Sequence, residues 1–81
     1  MFMYDIRIEK DSVGILIEST QRNMRGVILC LMHYYEQGDK IHITRSEDGK
    51  TFEVANSHED VQDILAERAI HAVRKEPSLL L

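Results

Sequence analysis

The sequence predicts an α+β fold of order ββαββα: a four-stranded antiparallel sheet with two helices on one face. Two stretches, residues 2–9 and 40–45, alternate apolar and polar side chains with the period of a half-buried strand. Each is followed by a turn signal, a second extended segment and a stretch of helical periodicity. The chain also echoes itself. "IRIEKDSVG" (residues 6–14) lies over "IHITRSEDG" (residues 41–49) without a gap, matching Ile6 with Ile41, Ile8 with Ile43, Lys10 with Arg45 and Gly14 with Gly49. Two ββα units at matching offsets can merge into one sheet.

The first strand alternates Phe2, Tyr4, Ile6 and Ile8 with Met3, Asp5, Arg7 and Glu9, and the first set is expected to face the core. "EKDS" interrupts the pattern, and the branched run at residues 13–18 supplies the returning strand of a hairpin. Ser19 or Thr20 then offers a hydroxyl as helix N-cap. The helix is expected to run to about residue 37, with Gly38 in the left-handed position that closes it.

Residues 40–45 form the third strand. Asp48-Gly49 is the strongest hairpin signal in the chain, because a type I′ turn needs positive φ at both central residues. That turn sets Glu47 against Lys50, Arg45 against Phe52 and Ile43 against Val54, placing Phe52 and Val54 on the core face. Ser57 with Asp60 three residues later resembles a capping box, with Asp where Glu is usual. The second helix is expected over residues 58–75, stopping before Pro77. The domain therefore covers residues 1–76, and residues 77–81 form a short apolar tail.

With 81 residues the chain makes one small domain, whose modest core would gain from dimerisation. Its longest uninterrupted apolar run, residues 27–32, is far below the roughly 20 residues of a membrane span. No charged start followed by an apolar stretch and a cleavage site is visible, and the single Cys30 excludes an internal disulfide. A cytoplasmic protein without membrane partners is the expectation. The net charge of −4 runs against a nucleic-acid binder, whose affinity draws on neutralised phosphates.

The first helix is the most informative segment for function. At about 100° per residue, Met24, Val27, Ile28, Leu31, Met32, Tyr34 and Tyr35 make one broad apolar face. Leu29, Cys30 and His33 fall opposite, beside Arg22, Arg25 and Gly26. A small apolar centre with a polar margin is how interfaces are commonly built, and Gly26 would permit close approach. Arg22, Arg25, Leu29, Cys30 and His33 are thus the candidate partner-binding residues.

Catalytic and metal signatures are weak. Cys30 and His33 form a C-x-x-H pair, but zinc needs four ligands and the chain has no other cysteine, so only two chains meeting at these helices could complete a Cys₂His₂ set. "HEDVQ" at residues 58–62 begins like H-E-x-x-H and lacks the second histidine. There is no G-x-S-x-G, no P-loop and no G-x-G-x-x-G. No enzyme activity, cofactor or metal is expected.

The expected function is a non-enzymatic protein–protein interaction module, a homodimer that regulates or inhibits a larger macromolecule. Compact accessory proteins of phages and mobile elements share this size and style. The alternative is nucleic-acid binding through Arg22 and Arg25 at the start of the first helix, disfavoured because the outward sheet face offers no aromatic stacking platform.

Overall fold

The computed structural model describes residues 2–75, with side chains as far as Glu67; the predicted tail at residues 77–81 lies outside the described residues. The elements follow in the expected order: β1 (Phe2–Lys10), β2 (Ile15–Gln21), α1 (Met24–Tyr34), β3 (Lys40–Glu47), β4 (Lys50–Ala55) and α2 (His58–Lys75). The strands form one antiparallel sheet in the order β2-β1-β3-β4.

Alternation in β1 and β3 builds the core. Tyr4, Ile6, Ile8, Ile41 and Ile43 point to the helix-bearing face and are buried with Val27, Cys30 and Leu31 of α1, Ala55 and Val61 of α2. The opposite face is open. It carries Asp5, Arg7, Glu9, Leu16, Glu18, Thr20, His42, Thr44 and Glu53, with Arg7 paired across the strands to Glu18 on one side and His42 on the other. Opposite charges in neighbouring strands stabilise such a solvated face modestly.

The turns follow their residues. Asp48 and Gly49 have φ of 50° and 79°, the conformation that a two-residue type I′ connection requires. The first hairpin closes with a longer loop in which the Val13 amide donates to the Lys10 carbonyl, and Gly14 sits at φ 68°. The echoed glycines thus occupy equivalent left-handed positions.

Several expectations are corrected. β2 runs on through Gln21, so Ser19 and Thr20 lie in the strand and Asn23 caps α1, its side-chain oxygen accepting from the Gly26 amide at 2.9 Å. Pairing of β2 with β1 up to Tyr4–Gln21 outweighs the capping preference of the two hydroxyls. The helix ends at Tyr34 with an extended Tyr35, so Gly38 (φ 103°) belongs to the following turn and not to the helix terminus.

In the second hairpin Ile43 pairs with Ala55, not Val54. A β-bulge between Ile43 and Thr44 of the ladder inserts one extra residue on β4 and turns the small Ala55 into the core. Phe2 and Phe52 share the helix-bearing face but stay part-exposed. Phe2 lies beyond the last β1–β2 pair, and the Arg45 guanidinium stacks against both rings, 5.6 and 5.4 Å from their centroids.

At the other end of the sheet, Asp39 ties the loop after α1 to the first hairpin. Its carboxylate accepts from Lys10 Nζ at 2.6 Å and from the Glu36 amide at 3.0 Å. Tyr35 stacks on His58, with its hydroxyl 2.8 Å from His58 Nδ1, joining the end of α1 to the start of α2. The Asp60 amide donates to Ser57 Oγ, while the Asp60 carboxylate accepts from the Asn56 amide one residue before the cap. The capping pair therefore forms in a displaced version, as the short Asp side chain allows.

Candidate functional site

The roll of α1 about its own axis decides which side chains it offers to solvent. Gly26 and Cys30 lie one turn apart on the side facing β2. A Cβ built on Gly26 would run into Gln21 Oε1, and it would meet Gln21 Cβ and Cδ at 3.1 Å. The missing side chain lets this flank of the helix settle onto the end of β2, where Gln21 Nε2 donates to Ser19 Oγ at 2.9 Å. Gly26 therefore serves packing inside the domain, not approach of a partner.

That contact draws Cys30 inward. Its side chain is 5% exposed and belongs to the core, which removes it from the predicted outer face. Burial pushes the thiol pKa up, and a hydrogen bond with Ser19 offsets part of the rise. Cys30 and His33 consequently point to different environments, one buried and one exposed, and do not form a joint ligand pair. Among the described residues no group of three or more His, Cys, Asp or Glu is placed to hold a metal ion.

The same rotation turns Met32 outward. The buried arc is Val27, Ile28, Cys30 and Leu31, and the outer arc is Arg25, Leu29, Met32 and His33. Leu29 is 49% exposed and Met32 is 70% exposed; Tyr34, also expected in the core, is half exposed at the helix end. Leu29 and Met32 are three positions apart and so adjacent on the helix surface. Arg25 and His33 border them, and Arg22 stands exposed before the cap. Four of the five predicted residues are thus on the surface near one another. Met32 was hidden from sequence reasoning because its apolar character matched the core face.

A second apolar surface was missed altogether. Val13 in the loop before β2, and Ile15 and Leu16 at the start of that outer strand, are all exposed. The sequence signal was the run Ile15–Ile17 with Val13 before it, which reads equally well as a buried strand.

Among the described residues no helix is long and apolar enough to cross a membrane. Comparison with protein-family models, with curated proteins and with solved structures returns no match to this chain.

Proposed function

We propose that this protein is a non-enzymatic interaction module of the cytoplasm that binds another protein through the outer face of α1. The exposed Leu29–Met32 pair on a helix whose other side is fully engaged in the core carries this reading. A solvated helix face ordinarily bears polar residues, and exposed apolar pairs with a polar margin mark binding sites. Arg22, Arg25 and His33 supply the margin, so the face fits a partner that offers an apolar side chain flanked by carboxylates. Regulation or inhibition of a larger macromolecule, as accessory proteins of phages and mobile elements perform it, is the role that suits so small a binder.

The test is Leu29→Glu, alone and with Met32→Glu, in tagged full-length protein used for capture from its native cell. The variants should retain helix content and lose a protein that the unmodified chain retains at high salt. Retention of that protein by both variants would overturn the reading. Loss of all captured material on raising the salt would point instead to phosphate contacts by Arg22 and Arg25.

A further inference from the structure

Val27 and Leu31 of α1 hold the positions that Val61 and Leu65 hold in α2, so the helices of the two ββα units turn equivalent sides to the same core. Their outer sides are equivalent as well. Glu59, Asp63, Ala66 and Glu67 stand where α1 carries Arg25, Leu29, Met32 and His33, and all of them are exposed. The charge on the two sides is opposite. Residues 19–35 include no aspartate or glutamate, and residues 58–67 include no lysine or arginine. Among the described residues, Arg22, Arg25, Glu59, Asp63 and Glu67 enter no ion pair, so these charges are not neutralised within the chain. A helix layer with one cationic and one acidic member is complementary to itself. The α1 face fits carboxylates set round a small apolar spot, and α2 offers Ala66 with Asp63 and Glu67 beside it.

We propose that the partner of α1 is α2 of a second copy, related by a twofold axis along the helices, so that each chain gives one helix and takes the other. This deepens the reading of α1 as a protein-binding face and rests on it. α1 leaves the end of the sheet where Gln21 pairs with Tyr4. α2 starts beside the far end of α1, where Tyr35 stacks on His58, and runs back over the core through Val61 and Leu65. An axis along the helices therefore lays α1 antiparallel on α2, bringing Arg25 to Glu67 and His33 to Glu59 of the other copy. Leu29 and Met32 lie between those contacts, where the short Ala66 leaves room for them. An axis across the helices would set α1 on α1 and α2 on α2, with like charges at both contacts.

Sedimentation of the full chain over a concentration series tests the arrangement, and a monomer–dimer equilibrium is expected. Arg25→Glu and Glu67→Arg each place like charges at both contacts and should shift the mass to monomer with helix content unchanged. Mixed in equal amounts, the two variants again oppose unlike charges at both contacts and should form a dimer. A dimer indifferent to Glu67→Arg, or a mixture that stays monomeric, would overturn the proposal. So would an unmodified chain that is monomeric throughout; if Leu29→Glu then still releases a foreign protein, the α1 site stands without the dimer. Should either variant lose helix content, amide hydrogen exchange on the unmodified chain decides: protection of α1 and α2 that does not rise with concentration overturns it.

Discussion

Ile6 faces Ile43 across the β1–β3 ladder, and two residues along, Ile8 faces Ile41. These are the residues that the internal echo equates, now paired crosswise at the centre of the sheet. Antiparallel pairing of equivalent strands makes the order β2-β1-β3-β4 symmetric about that ladder, each half a hairpin followed by a helix. All four isoleucines are buried, and Ile8 and Ile43 are fully so. The repeated pattern therefore makes one shared core from two units too small to enclose one each. Truncating Ile8 to Ala leaves a cavity at this centre and should cost about 2–5 kcal/mol, read as a fall in the denaturant midpoint. A loss well under 1 kcal/mol would contradict its central place.

Gly49 should resist replacement. With φ at 79° beside Asp48 at 50°, the turn holds two consecutive left-handed residues. Nothing lies within 4 Å of a Cβ built on Gly49, so the penalty is purely conformational. Gly49→Val is expected to destabilise by about 1–2 kcal/mol, because a β-branched residue is poorly tolerated there. An unchanged melting temperature would show that the turn adopts another geometry.

Features governed by local chemistry were legible in the sequence: the period-two strands, the Asp48-Gly49 turn, and α2 at residues 58–75. Apart from the early end of α1 at Tyr34, the failures are tertiary. Ser19 and Thr20 are good caps, but pairing with β1 extends β2 through them. Val54 was placed opposite Ile43 because a regular ladder was assumed, and a bulge leaves no mark on periodicity. In the candidate site, Arg22, Arg25, Leu29 and His33 were placed on the surface correctly, while Cys30 and Met32 exchanged sides. Both are apolar, so hydrophobicity could not decide the roll of the helix; the contact of Gly26 with Gln21 does.

Acid should weaken the Asp39 clamp. Its carboxyl pKa is lowered chiefly by the hydrogen bond from Lys10, with the Glu36 amide adding to the effect against the cost of burial. A carboxylate with a depressed folded pKa contributes stability above its unfolded value of about 3.9, and loses it as pH falls through the lower folded value. Asp39→Asn removes that contribution. The variant should melt below the parent at neutral pH, and the gap should close as pH drops below about 4. A gap that stays constant through the acid range would separate Asp39 from the pH dependence.

Cys30 should be chemically quiet in the folded protein. The thiolate is the reactive form, and burial holds the thiol pKa above its ordinary value despite Ser19. Alkylation by iodoacetamide at mild alkaline pH is expected to be slow in buffer and fast in denaturant. Rapid labelling of the native chain would place Cys30 at the surface, and with it restore the outer face first read from the sequence.

The placement of Leu29 and Met32 depends on a residue that touches neither. Gly26→Ala ordinarily gains up to about 1 kcal/mol within a helix. Here the added methyl meets the Gln21 side chain, whose amide end can swing away but whose Cβ, at 3.1 Å, is fixed to β2. The strand cannot yield without disturbing the Tyr4–Gln21 pair, so the helix must lift or roll. Gly26→Ala should therefore destabilise the domain. In a Gln21→Gly background, which removes the Cβ as well, the obstruction is gone, and the same substitution should cost less or turn favourable. The difference between the two backgrounds measures the coupling. Lifting that flank also loosens the packing over Cys30, so Gly26→Ala should accelerate alkylation of Cys30, and Gln21→Gly should slow it again. Equal costs in both backgrounds, with no change in labelling, would mean that α1 owes its roll, and Leu29 and Met32 their exposure, to something other than the Gly26–Gln21 contact.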